Sequence, residues 1–102
     1  MKAAIAALAA VGILLAGSVQ AQEQKAQAAG CMTCHGIDKK IVGPAYKDVA
    51  NKYRSDKGAE AKLVAKVKNG GKGVWGEVPM PPNAHVKDED IKSIVHWIVG
   101  LK

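Results

Sequence analysis

Cys31-Met32-Thr33-Cys34-His35 constrains this chain more than any other segment. Two thiols separated by two residues, with an imidazole directly after the second, form the attachment pattern of a c-type haem. The thiols can add across the two vinyl groups of the macrocycle, and the histidine then sits under the iron as its proximal base. A bare Cys-x-x-Cys would leave a redox dithiol, half a zinc site and a disulfide open. The trailing histidine and the absence of any other cysteine argue against all three. A disulfide there would close too small a loop to stabilise much. A chain so read folds around a large, flat, apolar body.

The rest of the composition suits that reading. Lys2 and the small, apolar run from Ala3 to Gly17, followed by Ser18-Val19-Gln20-Ala21, read as a secretory signal cleaved after Ala21. The run is short and alanine-rich for a membrane span. Residues 1–21 are therefore expected to be removed and residues 22–102 to form one domain. About 80 residues make a marginal core without help. With no phenylalanine, two tryptophans and two tyrosines, the chain has few large groups to fill an interior, and a haem would supply that bulk. The 15 Lys and Arg exceed the 9 Asp and Glu, for a net charge of +6. The basic residues are scattered and no nucleic-acid motif appears, so nucleic acid is excluded as a partner. A lysine-decorated face that steers toward an acidic protein is the natural use.

Four helices are readable and no strand. Residues 22–29 are rich in Ala, Gln and Glu and stop at Gly30. Residues 31–36 form the attachment turn. Residues 45–53 carry Ala45, Val49, Ala50 and Tyr53 at helical spacing, after Gly43-Pro44 has barred helix upstream. Residues 59–68 turn Leu63, Val64 and Val67 inward, and Asn69-Gly70-Gly71 ends them. Residues 72–84 are too dense in glycine and proline for regular structure. Residues 88–101 hold Ile91, Ile94, Val95, Ile98 and Val99 on one stripe, with Asp88, Glu89 and Asp90 at the positive end of the helix dipole.

A haem held only by His35 would leave one iron position open. Met80 is the residue to fill it. It stands in Val78-Pro79-Met80-Pro81-Pro82, where flanking prolines stiffen an extended segment that can hold a thioether at a fixed height. Met32 lies within the attachment turn and cannot reach around the ring. His85 and His96 are rival ligands whose ordinary reading is an exposed, titrating side chain. Methionine–histidine ligation raises the reduction potential.

Four blocks in order now resemble a known family: the attachment motif, Val42-Gly43-Pro44-Ala45-Tyr46-Lys47-Asp48-Val49-Ala50, Lys68-Asn69-Gly70-Gly71 with Gly73-Val74-Trp75-Gly76, and Pro79-Met80-Pro81-Pro82-Asn83. They resemble the small bacterial class I cytochromes c of the c-551 type. The resemblance implies an all-α, monohaem fold of four to five short helices wrapped around one covalently attached haem c. It implies a periplasmic electron carrier, in respiration or denitrification. Its partners would be a nitrite reductase or terminal oxidase, and an upstream cytochrome or copper protein donor. The mature chain would be a monomer with no membrane insertion. Carried over by position, Cys31 and Cys34 are the thioether anchors, His35 the proximal ligand and Met80 the distal one. Pro44 would offer its carbonyl to the free nitrogen of His35, Asn83 would donate toward the Met80 sulfur, and Trp75 would donate to a haem propionate. The plainer alternatives are a chain break at Pro44, a turn cap at Asn83 and core filling by Trp75.

Two departures stand out. Lys66 occupies the place where members often carry an arginine near a propionate, and lysine lacks the guanidinium fork. Val86 stands where a serine-type cap often opens the last helix. The function expected is outer-sphere single-electron transfer through an exposed haem edge, ringed by lysines such as Lys25, Lys39, Lys40 and Lys72. An enzyme or gas binder would need a distal acid–base group in place of Met80. A thiol–disulfide protein would need a strand–helix alternation that the pattern lacks. A fixed haem subunit of a larger complex is the remaining rival.

Overall fold

The structure, a computed structural model, describes residues 20–102. The leader assigned from the sequence therefore lies outside the described residues, apart from Gln20 and Ala21. Helix α1 covers residues 20–28, followed by a 3-10 turn at Cys31–Thr33. Helices α2 (Tyr46–Tyr53), α3 (Ala59–Asn69) and α4 (Asp88–Val99) complete the set. The described residues hold no strand, only isolated bridges. The all-α expectation holds.

Each boundary has a local cause. Gly30 at φ 85° ends the first helical stretch and admits the turn that carries Cys31. Pro44 sets up the extended Ala45 that precedes α2. No side chain caps α2. Its leading N–H groups are met instead by the attachment loop, Tyr46 N–H on the Gly36 carbonyl at 2.9 Å and Lys47 N–H on that of Ile37 at 3.1 Å. The loop and the helix thus satisfy each other. Asp56 accepts from Gly58 N–H at 2.9 Å and organises the start of α3. Gly70 at φ 78° stops it, donating to Lys66 O at 2.7 Å.

Helix α4 is the spine on which α2 and α3 pack. Its Ile91, Ile94, Val95 and Ile98 are buried, as the stripe predicted, while Val99 is only half-buried. Each such burial contributes about 1.5–3 kcal/mol. The helix stops at Val99, two residues short of the expected end, because the Gly100 and Leu101 amides turn back onto Trp97 O and Ile98 O. As the sequence suggested, α4 has no side-chain cap. Its start is held by Lys68, which reaches Val86 O at 2.9 Å and Asp88 Oδ1 at 2.9 Å.

The interior is small. Ala26, Tyr46, Val49, Ile94 and Ile98 form its centre, with Leu63, Trp97 and Leu101 around them. Helix α3 departs from expectation in a telling way. Of its residues only Ala59 is fully buried, and Leu63, Val64 and Val67 remain half-exposed. Leu63 and Val67 face a cavity rather than protein, whereas Val64 faces a shallow outer groove with Glu60 and His96.

Candidate functional site

That cavity lies between α3, α4, the attachment loop and the glycine- and proline-rich segment from Gly71 to Pro81. It encloses about 380 Å³, within the range of cofactor sites. Leu63, Val67, Ile94, Val95 and Ile98 give it an apolar floor. Cys31, Cys34, His35, Pro44, Lys66, Trp75 and Met80 all line it, so seven of the eight residues singled out from the sequence meet in one space.

Local chemistry fixes His35. Its Nδ1 is 2.8 Å from the Pro44 carbonyl, which puts the proton on Nδ1 and leaves Nε2 as a free lone pair. Proline has no N–H, so the carbonyl stands in a segment with one donor fewer to compete. Gly43 lies directly against the imidazole. A Cβ built there would sit 2.4 Å from Cε1 and 2.9 Å from Nδ1. On the remaining side, the Tyr46 ring stacks on His35 with centroids 5.0 Å apart and planes 21° from parallel. Neither Gly43 nor Tyr46 was singled out from the sequence as a site residue. Both stand within two residues of the proline assigned to His35, but only the closed loop brings them against the ring.

Met80 is placed by main chain alone. Met80 N–H donates to Gly71 O at 2.7 Å, and Gly71 N–H returns to Met80 O at 3.0 Å. Gly70 makes room for this pairing, because a Cβ there would meet Met80 O at 2.6 Å and Pro82 N at 2.9 Å. Lys66 lies over Gly71, its Nζ 3.4 Å from where a Cβ would be. Trp75 stands at the cavity mouth, 42% exposed, with Lys52 Nζ 5.8 Å from its ring centroid.

Asn83 is the exception. It does not line the cavity, and its Nδ2 donates to Val67 O at 3.2 Å and Pro81 O at 3.3 Å. Both amide protons are thus committed to carbonyls rather than to the Met80 sulfur. Of the lysines expected around the rim, Lys40 and Lys72 line the cavity, whereas Lys39 does not and Lys25 pairs with Asp90 on α4 at 3.5 Å. Neither rival histidine reaches the cavity. His85 is exposed, and His96 points outward to Glu60 Oε1 at 2.7 Å.

The donor set and shape fit a covalently held haem. An imidazole with a free Nε2, a thioether and two thiols open into one apolar space, and α3 offers it an apolar face without a protein partner. The electrostatics oppose the dithiol alternative. Burial pushes the free Cys31 thiol above its ordinary value, with the neighbouring Tyr46 hydroxyl working against the shift. A redox cysteine needs its thiolate favoured, not penalised.

Comparison with known proteins agrees with this geometry. The family model described as Cytochrome c matches residues 21–102. Cytochrome c-551 of Allochromatium vinosum is 55% identical over 94 residues, covering 92% of this chain and all of that one. Cytochrome c-551 of Pseudomonas aeruginosa is 46% identical over 101 residues, covering 97% and 96%. The crystal structure of wild-type Nitrosomonas europaea cytochrome c552 superposes with a TM-score of 0.76 at 45% identity, covering 78% of this chain and 99% of that one.

Proposed function

Because this chain belongs to the cytochrome c family and carries one covalently bound haem c, we propose that it is a periplasmic single-electron carrier serving a terminal reductase of respiration or denitrification. Its relatives are electron carriers rather than enzymes, and this chain is of their kind. When bound, the haem supplies one electron at its iron without a bond being made or broken.

The residues divide the remaining work. Cys31 and Cys34 tether the ring through thioethers. His35 would hold the iron through Nε2, its tautomer set by the Pro44 carbonyl 2.8 Å away. Met80, on the cavity wall, would hold the iron through its sulfur. The reading rests chiefly on the paired main-chain bonds between Gly71 and Met80, which hold the methionine whatever its side chain does. Lys66 and Trp75 serve the propionates. Asn83 keeps the loop in register through Val67 and Pro81 rather than acting on the sulfur.

Val42, Val74, Trp75 and Val78 stand about half exposed or more around the cavity, with Lys40 and Lys72 beside them. An apolar collar with basic neighbours suits brief docking to an acidic redox partner such as a nitrite reductase, an oxidase or an upstream donor. Residues 1–21 are the export leader, and among the described residues no helix is long and apolar enough to cross a membrane.

The test is the visible and near-infrared spectrum of the purified protein beside Met80→Ala. Wild type shows the sulfur-to-iron band of the ferric form and resists carbon monoxide when reduced. The variant loses the band, binds carbon monoxide and drops in potential. Unchanged spectra in Met80→Ala would place another group on the iron.

A further inference from the structure

Tyr46 is one of the best-buried large side chains in the protein, 4% exposed, yet attachment and ligation leave it without a task. We propose that Tyr46 is a positioning residue that sets the plane of the His35 imidazole, a proposal resting on His35 as proximal ligand. The ring lies on His35 at a 5.0 Å centroid separation and 21° between planes, an offset stack. Trp97 meets the Tyr46 ring edge-on at 5.8 Å and 83°, so Tyr46 is itself braced by α4. The main chain adds a third restraint, through the Tyr46 N–H bond to Gly36 O at 2.9 Å.

These contacts complete a slot. The Pro44 carbonyl fixes Nδ1 but still allows the imidazole to swing about that bond. Gly43 limits the swing where its missing Cβ lets the ring approach, and Tyr46 limits it at the ring face. An imidazole that cannot swing presents one plane to the iron, and the spin distribution of a ferric haem depends on that plane together with the orientation of the sulfur ligand. The ring of Tyr46 does this work, so removal of the hydroxyl alone leaves it intact.

The experiment compares Tyr46→Phe and Tyr46→Leu by proton NMR of both oxidation states. Tyr46→Phe keeps the wild-type pattern of ferric haem-methyl shifts and the wild-type exchange rate of the His35 Nδ1 proton. Tyr46→Leu changes the methyl pattern and speeds that exchange about threefold to tenfold, the range an aromatic pair's stabilisation permits. Wild-type behaviour in Tyr46→Leu overturns the proposal, as does a Phe variant that behaves like the Leu one. If the Leu variant fails to mature, the ferrous wild-type protein still decides. Nuclear Overhauser contacts between the Tyr46 ring and the His35 imidazole support the slot, and their absence overturns it. Strong ring-current shifts of the His35 protons report the ligand itself, so loss of the slot and loss of the ligand assignment are told apart.

Discussion

At the scale of single residues, the site depends on atoms that are missing as much as on those present. Gly43 has an ordinary φ, so its need for glycine is steric and not conformational. A methyl group there would intrude on the His35 ring, 2.4 Å from Cε1. Gly43→Ala should cost about 1–3 kcal/mol in a denaturant titration, the range for overpacking a fixed site, and should shift the reduction potential through the displaced imidazole. Unchanged stability and potential would mean that the loop yields freely. The residues proposed to ligate and tether could be picked from the sequence because such chemistry fixes residue type and spacing. Gly43 and Tyr46 were not, because they act by shape, and shape needs the loop closed over His35 before it can be seen. Asn83 shows the converse difficulty. Its amide could be assigned to a sulfur from sequence order, but Val67 O lies closer to hand once α3 is in place.

At the scale of elements, punctuation was easier to read than packing. Glycine and proline marked the ends of the first three helices to within two residues, and the last ran two residues short at Gly100. Which face of α3 met protein was hidden, because a cavity-facing stripe and a core-facing stripe have the same periodicity. The junction between α3 and α4 was also invisible, since Lys68 and Asp88 lie far apart in the chain. Hydrogen bonding to Lys68 holds the Asp88 carboxyl below its ordinary value, and the Lys68 charge adds to this. A carboxyl held low in the folded state contributes stability above its unfolded value of 3.8, lost as pH falls through the folded value. Asp88→Asn should therefore lower the urea midpoint slightly at pH 7, and the difference from wild type should vanish once the pH has fallen below the folded carboxyl's value. A gap that persists in acid would show the pair to be irrelevant. Gly70→Ala acts at the other end of α3. With φ at 78° and Met80 O in the way, it should weaken the hold on the Met80 loop, read as faster displacement of the methionine by added imidazole in the ferric protein.

At the scale of the whole molecule, the interior is incomplete as protein. Among the described residues the ten fully buried apolar ones include four alanines, and Leu63 and Val67 face the cavity. A chain of about this size cannot spare that area. A Cys31→Ala, Cys34→Ala double variant, produced without haem, should show far-UV circular dichroism of a largely unfolded chain and no cooperative melting. Native-like helicity would mean that the small core suffices alone. The pairing of Gly71 with Met80 divides this molecule into two provinces. No side chain takes part in those bonds, so the loop is closed at its base by main chain alone, while residues 72–79 form one wall of the cavity above that closure. The outward-facing Val74 and Val78 can therefore be exchanged to change what docks there, with the strap that carries Met80 still buckled.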